Sequence, residues 1–113
     1  MNTRLWTFDD IKDATARHEV YRDSNDPIRH YFYGIALEMA GQSEEADLKY
    51  VAFRVEAQQK FGDLERGAVH YAAEGQAFPR DERRAEHYEN MAKILKGPEP
   101  GSGAKSSRDC VIA

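Results

Sequence analysis

Apolar residues recur along most of this chain at spacings of three and four, the period of an α-helix with one face turned inward, and glycine, proline and aspartate interrupt the runs. Thr7 followed by Asp10 reads as a helix start, after which Phe8, Ile11, Ala14, His18 and Tyr21 trace a first face. A turn over residues 22–27 follows, with Asp26 as cap and Pro27 at the first helical position, where its missing N–H costs nothing. Ile28, Tyr31, Phe32, Ile35 and Met39 form the second stripe, and Gly41 is its expected stop. Ser43 is placed to cap a third helix, with Glu44 and Glu45 in its first turn. Ala46, Tyr50, Phe53, Ala57 and Phe61 share one face of that helix while Leu48, Val51 and Val55 widen it, which predicts the longest helix, packed on two sides. Gly62 and Asp63 repeat the stop and cap, opening a fourth helix with Leu64, Ala68, Tyr71 and Ala72 inward and Gly75 as its close. Pro79 then fixes an extended turn, Asp81 caps, and Ala85, Tyr88, Ala92 and Leu95 recur along a fifth helix.

The pattern therefore predicts five helices and no sheet, with breaks near residues 23–26, 41–43, 62–63 and 75–81. Residues 1–96 read as one helical domain. From Gly97 onward periodic apolar residues stop and Gly, Ser and Pro dominate, so residues 97–113 read as a flexible tail that cannot offset its ordering entropy by burial.

Gly41-Gln42 and Gly75-Gln76 recur after 34 residues, each pair separating two amphipathic helices. Gly75, Phe78, Pro79, Asp81, Arg84, Ala85, Tyr88 and Ala92 resemble the second half of a Sel-one-like repeat, a relative of the tetratricopeptide repeat, whose pattern runs roughly G-x-G-V-x-x-D-x-x-K-A-x-x-Y-Y-x-K-A-A. Ala77, His87, Asn90 and Met91 depart from it, and residues 67–71 lack the Leu-Gly pair of the repeat's first half. In the earlier pair Gly34, Leu37, Gly41, Ala46 and Tyr50 resemble the tetratricopeptide pattern, with an expected turn about five residues shorter. The resemblance implies an all-α fold: antiparallel helical hairpins stacked as a short tetratricopeptide-like or Sel-one-like array, with a leading N-terminal helix and the C-terminal tail. Ala85 is expected to face the preceding helix, where a small residue permits close approach.

The chain's 113 residues suit a single modest core. No run approaches the roughly 20 apolar residues of a membrane-spanning helix, and residues 1–6 offer no secretory signal, which points to the cytoplasm. A net charge of -4 argues against a nucleic-acid partner held by phosphate neutralisation, although Arg80, Arg83 and Arg84 form a local basic group. The one cysteine, Cys110, excludes an intrachain disulfide. With Val111, Ile112 and Ala113 it forms a prenylation-like ending, so lipidation at Cys110 is a candidate, and without it no membrane attachment is expected.

His18, His30, His70 and His87 have no metal-ligand spacing. Asp9-Asp10 and Glu44-Glu45 fall in first turns, where capping accounts for them. With no nucleophile or phosphate-binding motif either, no catalytic, cofactor or metal site is expected. Tyrosines are more suggestive, because they combine apolar area with a polar tip. Tyr31, Phe32 and Tyr33 are consecutive and cannot all point inward, so Tyr33 is the expected exposed anchor for a partner, with Arg29 one turn before it.

The leading expectation is a non-enzymatic adaptor or scaffold that binds a protein or peptide in a helical groove, with a homodimer or tight partner completing so short an array. One alternative is a small acidic immunity or inhibitor-type protein that blocks an enzyme. The other is a host-delivered effector prenylated at Cys110.

Overall fold

A computed structural model describes residues 6–97. The fold is all-α. Among the described residues there are five helices and no strand: α1 Phe8–Tyr21, α2 Ile28–Met39, α3 Ser43–Phe61, α4 Leu64–Gln76 and α5 Glu82–Lys96. None of these helices is long and apolar enough to cross a membrane. Past Gly97, the tail expected from the sequence, with Cys110, lies outside the described residues.

The helix ends follow local chemistry. Thr7 and Asp10 form a reciprocal capping box at α1, each side chain accepting from the other's backbone N–H at 3.0–3.1 Å. Before α2, Asp26 Oδ1 accepts from the Ile28 N–H at 3.0 Å, and Pro27 already has helical dihedrals. At the other end of α2, Gly41 takes φ +83°; its N–H donates to Glu38 O and that of Gln42 to Leu37 O, the paired pattern of a left-handed helix stop. Gly62, at φ +93°, and the Asp63 cap, which accepts from the Arg66 N–H at 2.7 Å, separate α3 from α4. Asp81 caps α5 by accepting from the Arg84 N–H.

These residues form two compact units, one ending at Phe53 and one starting at Arg54, so the boundary falls within α3. In the first unit α1 packs on α2. Tyr21 near the end of α1 stacks on Phe32 near the start of α2, with ring centroids 5.3 Å apart, as in an antiparallel hairpin. Tyr31 and Phe53 are fully buried, their centroids 6.2 Å apart, and Tyr31 meets Phe32 edge-on at 4.9 Å. Burial of each such ring contributes about 1.5–3 kcal/mol. Gly34, one turn after Tyr31, lies against Tyr50, one turn before Phe53, so α2 and α3 run antiparallel, and the Tyr50 hydroxyl donates to Glu38 Oε1 at 2.7 Å.

In the second unit α4 packs on α5 with opposite direction: Gly67 near the start of α4 meets Leu95 near the end of α5, and Gly75 near the end of α4 meets Ala85 and Tyr88. Tyr71, Tyr88, Met91, Ala92 and Leu95 are buried. Arg54 crosses to the other end of α5, where its Nη1 donates to Ile94 O at 2.6 Å and Gly97 O at 2.8 Å.

Several local expectations are corrected. Gly75 does not end α4; the helix runs on to Gln76 with Ala77 at its C-cap, and Gly75 keeps a negative φ. Its lack of a Cβ serves the crossing instead, since a Cβ there would sit 3.1 Å from Tyr88 Cβ and 3.3 Å from Ala85 O. Ala72 is exposed, and the buried stripe of α4 is Gly67, Ala68, Tyr71 and Gly75. With α4 longer, residues 77–81 join α4 to α5, against residues 40–42 between α2 and α3, a smaller difference than the sequence suggested. Ser43 is the first helical residue of α3, and Gln42 O accepts the first helical bond, from the Ala46 N–H. Leu48 and Val55 are exposed, so α3 buries one flank, not two, and Phe8 and Ile11 on α1 are exposed as well.

Candidate functional site

Three consecutive aromatics on α2 set the site. Successive helical residues turn by about 100°, so with Tyr31 and Phe32 buried, Tyr33 is carried to the rim, where 40% of its surface remains exposed. Side chains from the two neighbouring helices approach its ring. The His18 ring of α1 lies with its centroid 4.9 Å from that of Tyr33, tilted by 37°. Lys49 Nζ of α3 lies 4.6 Å from the Tyr33 centroid, within range of a cation–π contact. Tyr33 is therefore braced at its ring and open at its surface.

Three polar atoms here have no hydrogen-bond partner among the described residues. His18 Nδ1 is buried and has no hydrogen-bond partner. Among the described residues, neither the Tyr33 hydroxyl nor the Lys49 ammonium has a hydrogen bond or an ion pair. A phenol, an ammonium and a ring of fixed orientation can together contact the apolar stem and polar end of an incoming side chain.

Behind the patch, Tyr50 follows Lys49 on α3 and is buried. Its phenol is pushed well above the usual tyrosine range by burial first, and then by the charge and hydrogen bond of Glu38, with smaller contributions from Tyr31 and Asp47. It stays a donor to Glu38, a link that fixes the stretch of α3 bearing Lys49 against α2.

Of the residues expected at the site, Tyr33 is at its centre. Arg29 is turned towards the start of α2, its Nη1 donating to Asp26 O at 3.2 Å. The cation on Tyr33 is Lys49, which sequence reasoning missed, as it missed His18 beside the ring. Cys110 lies outside the described residues. Among the described residues no three His, Cys, Asp or Glu side chains are grouped to hold a metal ion. No protein-family model matches the chain, and neither the curated proteins nor the solved structures compared with it give a match.

Proposed function

We propose that this protein is a non-enzymatic interaction module and that Tyr33 is the anchor for a partner protein or peptide. The observation that carries the reading is the state of that side chain: exposed, yet held by His18 and Lys49. A pre-positioned tyrosine loses little conformational entropy on binding, which is why such residues dominate interface energetics. Mobile surface tyrosines offer less, because each must be ordered on contact.

The Sel-one-like reading of the two hairpins, α2 with α3 and α4 with α5, belongs to the same proposal. Its support is a shared device: a glycine of the first helix, Gly34 or Gly75, receives a tyrosine of the second, Tyr50 or Tyr88. Helical repeats of this kind serve as binding scaffolds, so the fold agrees with the role by analogy and the site supplies the residue.

The test is a photo-crosslinking amino acid at position 33, with the exposed position 86 as control, in the native cytosol. A protein crosslinked from 33 and not from 86, and no longer co-purified by a Tyr33→Ser variant, is the expected result. Equal labelling from both positions, or co-purification unchanged by Tyr33→Ser, would overturn the reading.

A further inference from the structure

A second arrangement of unused donors lies in the turn between α4 and α5. Phe78 in that turn and Tyr88 in α5 are stacked, with centroids 6.2 Å apart and planes within 11° of parallel. Arg84 lies over Phe78 with Cζ only 3.8 Å from the ring centroid, and 5.9 Å from that of Tyr88. Stacking engages the face of a guanidinium and leaves its N–H donors, which lie in its plane, to be satisfied elsewhere. They are not satisfied by the described residues. Arg84 Nε is buried without a hydrogen-bond partner, so an acceptor from outside meets the two terminal nitrogens of the guanidinium. The capping carboxylate of α5, Asp81, directs Oδ1 to the Arg84 backbone N–H at 3.1 Å and not to the side chain. Arg80, in the same turn, is exposed and has no ion pair among the described residues.

We infer that Arg84, fixed on Phe78 and assisted by Arg80, binds a carboxylate of an acidic segment in a partner polypeptide. A guanidinium whose plane is already set presents two parallel donors to a carboxylate without the ordering cost of a free arginine. The half-exposed ring of Phe78 receives the methylenes of a glutamate. An extended phosphate backbone fits less well, since it requires a longer row of cations than this turn carries. Arg84 and Phe78 belong to the second unit and Tyr33 to the first, so this inference does not rest on the proposed anchor.

The experiment follows the arginine Nε–H resonances of the full chain by NMR while N-acetylated, amidated tetraglutamate is added, with tetraglutamine as the neutral control. The Arg84 signal is expected to shift saturably with the first peptide and not with the second. Arg84→Gln should weaken binding by about tenfold, as expected for one charge-assisted pair. Arg84→Lys, which keeps the charge but not the planar fork, and Phe78→Leu, which removes the platform but no charge, should each weaken it measurably, whereas Tyr33→Ser should leave it unchanged. The parent titration stands even if a variant fails to fold. No saturable shift, or unchanged binding by Arg84→Gln or by Arg84→Lys, would overturn the inference. Tighter binding of inorganic phosphate or of oligothymidylate than of tetraglutamate would overturn it too, by assigning the donors to phosphate.

Discussion

A methyl group on Gly34 would lie 2.6 Å from Cε1 of Tyr50, closer than two carbon atoms approach without displacement. The ring cannot simply swing away, because it is buried and its hydroxyl is held by Glu38. Helix propensity alone favours alanine over glycine by about 0.5–1 kcal/mol, whereas overpacking costs about 1–3 kcal/mol, so the crossing decides the sign. Gly34→Ala is expected to lower stability by about 1–2 kcal/mol in urea denaturation. In a Tyr50→Leu background the same substitution should be neutral or stabilising, and additivity of the two changes would show that the pair does not interact.

Tyr50 also sets a pH dependence. Its pKa is raised in the folded protein by burial, then by Glu38, above the ordinary value near 10. Below pH 10 both folded and unfolded chains keep the proton and the shift has no effect on stability. Above it the unfolded chain releases the proton while the folded chain retains it, so stability falls as pH rises, with a slope from this group that grows towards about 1.4 kcal/mol per pH unit. Tyr50→Phe should therefore lose stability less steeply than the parent between pH 10 and 11, whatever its stability at pH 7. Parallel stability curves for the two proteins over that interval would show that Tyr50 ionises in the fold as it does in water.

What the sequence made legible was mostly what a few neighbouring residues decide among themselves. Thr7 with Asp10, Asp26 with Pro27, and the stops at Gly41 and Gly62 are local exchanges of backbone donors and acceptors, and each falls where the letters place it. Gly75 was misread because a glycine that ends a helix and one that admits a neighbouring helix look alike in one dimension. Only the tertiary contact with Ala85 and Tyr88 distinguishes them. The apolar flank of Leu48 and Val55 and the first turns of α1 were overcounted for a related reason: periodicity marks what could be buried, and the supply of neighbouring surface settles what is. At the candidate site the exposure of Tyr33 follows from three adjacent aromatics. Its contacts with His18 and Lys49 depend on how α1, α2 and α3 meet, which no local pattern encodes.

Arg54 is another non-local feature, reaching a helix end forty residues away. The last carbonyls of a helix lack intrahelical donors, and a guanidinium there satisfies them while complementing the negative end of the dipole. Replacing it with methionine keeps much of the aliphatic stem and removes the two charged hydrogen bonds, which predicts a loss of about 1.5–3 kcal/mol. Amide hydrogen exchange should localise the effect to the last turn of α5, where Gly97 N–H now donates to Lys93 O. If exchange there is unchanged in Arg54→Met, the arginine is not a cap.

The turn from α4 into α5 gives the sharpest test of the repeat-like hairpin. Gly75 approaches Ala85 so closely that the Ala85 carbonyl oxygen and Cα would lie 3.3 and 3.8 Å from a Cβ on the glycine. Ala85 is half-buried at this crossing and Glu86 beside it is exposed. A leucine at 85 has to fit where two backbones already touch, and either α5 moves away from α4, uncovering Tyr88, or the side chain takes a strained rotamer. Ala85→Leu should therefore cost about 1–3 kcal/mol, while Glu86→Leu, directed to solvent, should stay within about 0.5 kcal/mol of the parent. Both variants add a leucine to the same turn of the same helix, so their difference in chemical denaturation isolates the crossing from propensity. Equal stabilities would mean that the close approach of Gly75 and Ala85 does not constrain the hairpin, and the small-residue positions that resemble the Sel-one-like pattern would lose their physical reason.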